Sequence, residues 1–362
     1  MKRPHPLFLA HTQPGFEAIA IDEIERSVDG ARVRGTRSVA DKNGMVLFEY
    51  PGDARDLLAL RTLEDLFVVV ATLENLPPTR EALRLIEGSA ARATAITSAL
   101  AQARQIAPAR GGKGKLRFRV IARQVGRAAY RRVDAQQALA RGLAARDDHR
   151  WQAVDDGGIE FWLTLLPGEA IVALRLSDER MRHREYKIEH LPASLRPSAA
   201  AALAWLTRPH DDDLFLEPMC GAGTLLIERA HMGRYRLLLG GDIREEAVEL
   251  ARANIGPRYK PIELRQWDAR ALPVDAGAAS AVAVNLPFGR QIGSTEDNRQ
   301  LYPAFLREMA RVLRPGARLV ALTGDRRTLE ESLRRASKLA RREFFPVMLL
   351  GQPAGVYALE RV

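Results

Sequence analysis

The sequence has 362 residues, 46% of them hydrophobic and 28% charged, a composition typical of globular rather than disordered proteins. At about 150 residues per domain, this length predicts two or three domains, each with its own core. The longest apolar runs, such as 66–72, are far below the roughly 20 residues that span a membrane, and no signal-peptide core follows the basic N-terminus. We therefore expect a cytoplasmic protein without a membrane partner, and its net charge of +10 favours a polyanionic partner.

Residues 1–62 are predicted to form a small α+β unit. Residues 7–11 are apolar and predict a strand, and the apolar residues from Phe16 to Val28 recur at helical spacing. Residues 44–50 alternate as a second strand. A short helix at 53–60 follows, with Asp53 as its expected N-cap.

Residues 63–177 are predicted to form a second α+β unit. It opens with a β-branched strand at 66–73, and Pro167-Gly168 indicates a turn between its last two strands. Hydrophobic spacing predicts the other elements: helices at 81–87, 94–105 and 134–144, the last capped by Asp134, and strands at 116–122, 159–165 and 170–176.

The positive charge is concentrated in this second unit. Residues 104–141 contain eleven basic residues and one acid, a local excess equal to the net charge of the whole chain. Glycines and aromatics lie among these charges, which favours a nucleic-acid contact over a face that is merely solvated. The candidate RNA-binding residues are Lys113, Lys115, Arg117, Arg119, Arg123, Arg127 and Arg131.

A charged linker at 178–197 precedes a third unit, 198–362, in which strands and helices alternate. Strands are predicted at 214–217, 236–242, 262–266, 281–285 and 318–323, and helices at 199–206, 224–230, 245–254, 302–313 and 329–339. Such alternation predicts a mostly parallel sheet covered by helices on both faces. Two final strands, 343–350 and 355–360, are separated only by a turn at Gln352-Pro353-Ala354 and should pair antiparallel at the sheet edge.

The segment from Glu217 to Thr224 reads as a strand that ends in a glycine turn and leads into a helix. Gly221 and Gly223 allow the backbone to turn sharply and approach a ligand closely, and the helix start offers free N–H groups. Leu226 stands where a dinucleotide fold has its third glycine, and no lysine follows, which excludes a phosphate-binding loop.

Two acids follow at the ends of the next two predicted strands. Asp242 can accept from the hydroxyls of a ribose, and Asp268 can accept from the exocyclic amine of adenine. With the glycine turn, they describe a pocket for an adenosine that carries a carboxylate tail. This chemistry fits S-adenosylmethionine better than NAD or ATP.

The chain has a single cysteine, Cys220, so neither an internal disulfide nor a cysteine metal site is expected, and we predict no metal. It lies in the glycine turn. A nucleophile is one interpretation, but no histidine lies nearby in sequence to activate the thiol, so a small apolar residue beneath the turn is favoured.

A second motif, Asn285-Leu286-Pro287-Phe288, ends the fourth strand of this unit. Pro287 has no N–H and holds Leu286 extended, so the Leu286 carbonyl can point into the cleft beside the Asn285 side chain. Two acceptors on one amino group can direct its lone pair at an incoming methyl group, while Phe288 offers a stacking face. An Asn-Pro turn after a strand is the simpler interpretation, which the preceding adenosine pocket disfavours. We call residues 285–288 the hook.

The chain from about residue 192 onwards resembles the class I S-adenosylmethionine-dependent methyltransferases of the N-P-P-Y type. More narrowly, Pro192 to Pro197, the glycine turn, the hook and Ile292-Gly293-Ser294 are similar to the THUMP-domain RNA guanine-N2 methyltransferases. The segment 118–123 and the helix after Asp134 resemble the THUMP domain, and residues 12–17 resemble the ferredoxin-like unit that precedes it. Leu286 stands where many relatives have proline, with the carbonyl acceptor retained.

This resemblance implies a monomeric RNA-binding enzyme of tRNA processing that forms N2-methylguanosine in the acceptor stem, with S-adenosylhomocysteine as by-product. Its THUMP domain would hold the tRNA 3′ end. The hook would hold the guanine amine. The cofactor would be bound by Ser194, Leu195, Arg196, Glu217, Pro218, Cys220, Gly221, Gly223, Thr224, Asp242, Ile243, Asp268, Ala269 and Asn285.

Three other functions stay open. The same enzyme could act on guanine in 23S ribosomal RNA. A DNA adenine-N6 methyltransferase carries a similar hook, but the basic middle unit argues against it. A non-catalytic RNA-binding protein with a vestigial domain is disfavoured because Asn285, Pro287, Asp242 and both glycines are intact.

Overall fold

The computed structural model describes residues 5–39, 42–107, 115–148, 150–188, 194–289 and 294–362. The chain divides into two compact units. The first comprises Met1–Thr12 and Ile24–Met181, and the second comprises Gln13–Glu23 and Arg182–Val362. Among the described residues, no helix combines the length and the apolar character that crossing a membrane requires.

The first unit is built on one eight-stranded sheet with the order β2-β3-β1-β4-β8-β7-β5-β6. Its strands are β1 Leu7–Thr12, β2 Arg32–Val39, β3 Asn43–Glu49, β4 Asp65–Glu74, β5 Leu116–Gln124, β6 Trp151–Ala153, β7 Ile159–Leu166 and β8 Glu169–Arg175. The helices α2 Glu81–Arg92 and α3 Ala95–Ile106 follow β4, and α4 Arg132–Ala144 follows β5. Helix α1 Glu17–Ser27 follows β1, and its residues up to Glu23 belong to the second unit. Strand β5 runs parallel to β6 and β7, and the other pairs are antiparallel.

The predicted boundary near residue 62 falls within this sheet. Strand β1, from the predicted N-terminal unit, pairs with β4 of the predicted middle unit, for example Phe8 with Val68. The two predicted units therefore share one hydrogen-bonded sheet, and their separate identity as ferredoxin-like and THUMP domains stays a prediction.

Two predicted helix starts in this unit were wrong. The segment after Asp53 is a single 3-10 turn, Asp56–Ala59, and the Asp53 carboxylate accepts a hydrogen bond from the Arg55 N–H at 2.9 Å. Helix α4 has Arg131 as its N-cap, and Asp134 is the third residue of a capping box that accepts from the Arg131 N–H at 2.9 Å. An acid three residues inside a helix can satisfy the same orphan donors as a cap.

The second unit contains a seven-stranded sheet with the order β11-β10-β9-β12-β13-β15-β14. Its strands are β9 Leu214–Glu217, β10 Leu237–Asp242, β11 Ile262–Gln266, β12 Ala279–Asn285, β13 Leu313–Thr323, β14 Leu339–Leu349 and β15 Gln352–Arg361. Its helices are α5 Pro197–Leu206, α6 Thr224–Ala230, α7 Glu245–Ile255, α8 Thr295–Val312 and α9 Arg326–Leu333. The first five strands are parallel, and β14 and β15 form the predicted antiparallel edge hairpin.

Helices cover both faces of this sheet, as predicted. Phe215 faces one core with Leu203 of α5, whereas its neighbour Leu216 faces the other with Phe305 of α8. Consecutive strand residues point to opposite faces, so nearly continuous apolar strands are what a doubly covered parallel sheet requires.

Two predictions near the C-terminus were wrong. Helix α9 ends at Leu333, and Leu339 already belongs to β14. The hairpin turn is Leu350-Gly351, since Leu349 pairs with Gln352 and the predicted turn residues form the start of β15.

Two helical glycines in the first unit allow a test of close packing. A Cβ on Gly142 of α4 would lie 2.2 Å from the Glu87 carbonyl oxygen of α2, whereas one on Gly88 of α2 would meet only the movable end of Arg92. We expect Gly142→Ala to lower the free energy of unfolding by about 1–3 kcal/mol through overpacking. Gly88→Ala should raise it by up to about 1 kcal/mol through helix propensity.

Chemical denaturation of both variants, followed by circular dichroism, measures these changes. Equal effects of the two substitutions would contradict close packing of α2 and α4 at Gly142.

Candidate active site

The carboxyl ends of β9, β10 and β12 meet at a cavity of about 420 Å³ within the second unit. Glu217, Asp242 and Asn285 are the last residues of these strands, and all three line the cavity. Ligands bind at this edge in open α/β sheets, where the strand order reverses. The sheet therefore brings together residues that lie as many as 68 positions apart in sequence.

The glycine turn has the geometry that its sequence predicts. Gly221 and Gly223 have φ angles of 48° and 74°, which side chains rarely adopt. A Cβ on Gly223 would also lie 3.1 Å from the Cβ of Ala251 in α7. The Gly221 N–H donates to the Asp242 carboxylate at 3.1 Å, so the turn is tied to the neighbouring strand.

Glu217 is buried beneath the turn. One carboxylate oxygen accepts from the Leu226 N–H of α6 at 3.1 Å. Burial raises the pKa of this carboxyl well above its ordinary value, and the nearby Asp242 charge acts in the same direction. Its observed contact orders the start of α6.

The two acids that were predicted to bind adenosine have different surroundings. Asp242 accepts from the backbone N–H groups of Gly221 and Arg244, each at 3.1 Å. Asp268 is held by Arg270, whose guanidinium donates to it at 2.6 Å, and this pairing lowers the pKa of Asp268. The Asp268–Arg270 pair is a feature that the sequence analysis did not predict.

Cys220 is almost fully buried, and its backbone N–H donates to the Gly241 carbonyl at 2.8 Å. Burial raises the pKa of its thiol well above the ordinary value, and the nearby Asp242 charge acts in the same direction. A thiol that stays protonated at neutral pH is a poor nucleophile. The burial of Cys220 agrees with the interpretation as a small residue beneath the turn.

The hook presents an acceptor for which the described residues provide no donor. Asn285 ends β12, and its side-chain oxygen is buried without a hydrogen-bond partner among the described residues. The Leu286 N–H donates to the Leu322 carbonyl at 2.9 Å, and no donor in the described part of the chain contacts the Leu286 carbonyl oxygen. A buried acceptor without a partner is costly, which indicates that a ligand supplies the donor.

The next carbonyl of the hook, that of Pro287, accepts two hydrogen bonds from side chains of α8. The Pro287 oxygen accepts from the Tyr302 hydroxyl at 2.5 Å and from the Asn298 amide at 3.2 Å. The Tyr302 hydroxyl also pairs with the Thr323 hydroxyl at 2.7 Å, and Asn298 donates to the Asp325 carboxylate at 3.1 Å. Burial raises the pKa of Tyr302, which therefore stays a donor.

The sequence analysis missed this supporting network because α8 supplies it from beyond the hook. One signal was available: Asn298 and Tyr302 are four residues apart, so they share one face of a helix.

Phe288, the last residue of the hook, is half-buried. A Cβ on Gly324, at the end of β13, would lie 2.6 Å from its ring, so glycine is required there for the ring to fit. Phe288 also lines the cavity, which leaves part of its ring accessible to a ligand.

The cavity is lined by all four residues of the hook and by every predicted cofactor-binding residue except Gly223. Pro192, Ala193, Ile292 and Gly293 lie outside the described residues. The lining residues that the sequence analysis missed are Gln13, Met219, Ala222, Leu225, Arg244, Arg270, Leu301, Leu349, Leu350 and Gln352.

Some of the candidate RNA-binding residues of the first unit form ion pairs with acids, and others do not. Arg119 pairs with Asp156 at 2.9 Å and also with Glu160, and Arg131 pairs with Asp134 at 3.0 Å.

Arg123 lies 4.5 Å from the centre of the Trp162 ring. The exposed residues Lys115, Arg117 and Arg127 have no acidic partner in the described part of the chain, and Lys113 lies outside it. The positive excess of residues 104–141 is thus partly neutralised by acids from other segments.

A metal centre finds no support in the described residues, where no three histidine, cysteine, aspartate or glutamate side chains cluster as ligands would.

The chain is similar to known proteins in both sequence and fold. Residues 184–352 match the UPF0020 family, an RMKL-like methyltransferase domain. The crystal structure of TrmN from Thermus thermophilus superposes with a TM-score of 0.78, at 24% identity, over 99% of this chain and 100% of that one. The structure of SMU.472 complexed with SAH gives a TM-score of 0.73, at 17% identity, over 99% of each chain. The second unit has a class I methyltransferase fold.

The sequence relatives agree with the fold. A tRNA (guanine(6)-N(2))-methyltransferase, THUMP3 of Bos taurus, is 32% identical over 265 residues, which are 68% of this chain and 51% of the relative. The chain thus spans about half the length of this relative. The predicted resemblance to RNA guanine-N2 methyltransferases is confirmed by these names.

The buried Glu217 gives a test of the site that needs no ligand. A raised pKa in the folded state means that stability falls as pH rises above about 4.5, where the unfolded carboxyl ionises while the folded one stays protonated. Glu217→Gln removes this decline and should leave the protein about 1–3 kcal/mol more stable than wild type at neutral pH.

Unfolding measured from pH 4 to 8 tests this expectation, with the exposed Glu74→Gln as control. If the stabilities of wild type and Glu217→Gln run parallel across this range, Glu217 is not the proton-holding group.

Proposed function

We propose that this protein is an S-adenosylmethionine-dependent tRNA methyltransferase that forms N2-methylguanosine. The observation that carries the proposal is the buried Asn285 oxygen, which lacks a donor among the described residues and lies in one cavity with the glycine turn, Asp242 and Asp268. A guanine amino group is a donor of the kind this acceptor requires. The tRNA guanine-N2 methyltransferase relatives support the same substrate.

The cavity residues fit the cofactor. Asp242, whose oxygens already accept from two backbone N–H groups, can also accept from ribose hydroxyls, and the exposed Ile243 offers an apolar face for adenine beside Asp268. The turn from Glu217 to Gly223 would hold the methionine part, with Ser194, Leu195 and Arg196 beside it. When bound, the sulfonium of this cofactor supplies an electrophilic methyl group.

The hook residues supply positioning to the reaction. The amine of guanine is a weak nucleophile because its lone pair is delocalised into the ring. Two acceptors, the Asn285 side-chain oxygen and the Leu286 carbonyl, can each take one N–H and so direct the lone pair out of the ring plane. Placing the amine in this way reduces the entropy cost of reaching the transition state. Phe288 would hold the base plane by stacking.

The first unit supplies the RNA contact in this proposal. Lys115, Arg117 and Arg127 are the exposed candidates for phosphate binding, and the proposal includes a THUMP domain at 63–177 that binds the tRNA 3′ end. We further propose a monomeric cytoplasmic enzyme that acts on the acceptor stem.

The decisive experiment identifies the methylated nucleoside after incubation with labelled cofactor and unmodified tRNA, 23S ribosomal RNA or DNA. We expect N2-methylguanosine in tRNA. Methyladenine in DNA, or label in ribosomal RNA alone, would falsify the proposal.

We expect Asn285→Ala to lower the rate of methyl transfer by about a hundredfold or more, since it removes one of the two acceptors that orient the amine. Asn285→Asp keeps an acceptor at the same place and should retain more activity. Calorimetric titration should show that both variants still bind the cofactor. Lost cofactor binding in Asn285→Ala would contradict the role assigned to Asn285.

Arg117→Ala combined with Arg127→Ala should weaken tRNA binding, with the larger effect at low salt because binding to phosphates releases counterions. The slope of log affinity against log salt should fall by roughly 0.7–0.9 for each phosphate that the variant no longer neutralises. Arg84→Ala, an exposed arginine of α2, serves as control. An unchanged slope in the double variant would mean that these arginines are only solvated.

A further inference from the structure

The hairpin turn between β14 and β15 breaks a strong sequence preference. Its two central residues, Leu350 and Gly351, have φ angles of 50° and 75°. A two-residue turn with both φ angles positive is normally Asn-Gly, Asp-Gly or Gly-Gly, because other side chains are strained in that conformation. Leucine at the first position therefore destabilises the turn locally.

The same leucine is exposed at the cavity. Leu350 is 71% exposed, the most exposed large apolar side chain among the described residues. It also lines the cavity, together with its strand neighbours Leu349 and Gln352. Backbone strain and an exposed apolar side chain thus coincide at one residue beside the site. Residues that break a local conformational preference without a structural need are expected at functional sites.

The proposed substrate presents a physical problem that such a residue can solve. A guanine in a tRNA stem is paired and stacked, whereas the acceptors of the hook lie inside a cavity. The base must therefore leave the stack to reach Asn285, at a cost of unpairing and unstacking. Apolar side chains inserted between base steps offset this cost in other nucleic-acid-binding proteins.

We propose that Leu350 is a wedge that enters the stem at the place the target guanine leaves and holds the duplex open. Gly351 has no side chain, so the backbone beside the wedge can approach the stem closely. This inference rests on the proposed function, because it assumes a paired guanine as substrate. It assigns Leu350 to base extrusion and leaves orientation of the amine to the hook.

Two transcripts of the same tRNA separate extrusion from chemistry. In one, the target guanine is paired; in the other, the opposite nucleotide is replaced by one that cannot pair. We expect Leu350→Asn to lower the single-turnover rate about tenfold or more on the paired transcript and less than about twofold on the unpaired one. Leu350→Met, which keeps an apolar wedge, should retain both rates.

Leu350→Asn should fold at least as stably as wild type, because asparagine tolerates a positive φ angle. Thermal unfolding checks this point, and a lower melting temperature would overturn the strain argument. Leu85→Asn, an exposed leucine on α2, is the matched control and should leave both rates unchanged.

Extrusion can also be observed without methyl transfer. With 2-aminopurine at the target position, binding of wild type should raise the fluorescence, and binding of Leu350→Asn should not. Equal reductions in rate on both transcripts, or no reduction on either, would overturn the wedge. If wild type methylates neither transcript, the proposed function fails instead, so the two failures are distinguishable.

Discussion

The hydrogen bond from the Tyr302 hydroxyl to the Pro287 carbonyl oxygen determines what the hook can bind. The Tyr302 side chain is fully buried, and Asn298 donates to the same oxygen, so both acceptor positions of the Pro287 carbonyl are taken by protein donors. With the Pro287 carbonyl engaged by α8, the acceptors that remain for a ligand are those of Asn285 and Leu286. Helix α8 thus determines which acceptors of the hook are available to a ligand, although the hook lies outside this helix. The Asp325 carboxylate, which accepts from Asn298 and caps α9, ties the end of β13 to the same network.

The glycine-turn side of the cavity depends on two carboxyl groups that support the backbone. Asp242 accepts from the Gly221 N–H of the glycine turn, and Glu217 accepts from the Leu226 N–H in the first turn of α6. The turn and the helix start that follows it are therefore held in place before any ligand arrives. A turn that is already ordered reduces the conformational entropy that is lost when a ligand binds. This explains why acids at strand ends are informative in the sequence: one residue can order the turn and also offer an acceptor to the cavity.

The features that could be predicted from the sequence are those whose physical cause lies within one short segment. Strand alternation, the glycine turn and the hook are of this kind. The Tyr302–Pro287 bond was not predictable, because it joins residues from two elements. Strand β2 was missed because it alternates between exposed and half-buried residues and so lacks an apolar pattern. The ion pairs of Arg119 were not predicted because its partners, Asp156 and Glu160, come from distant positions in the chain.

The error at the C-terminal hairpin has a different cause. Gln352-Pro353 reads as a turn by composition, and Leu350-Gly351 does not, since leucine is a poor residue for a positive φ angle. The tertiary structure overrides this preference by pairing Leu349 with Gln352, which leaves Leu350 at the tip. Asparagine at position 350 would satisfy the turn and remove an exposed apolar side chain. Folding alone therefore gives no reason for leucine there. The proposed wedge gives one, because Leu350 is exposed and lines the cavity that would receive the extruded base.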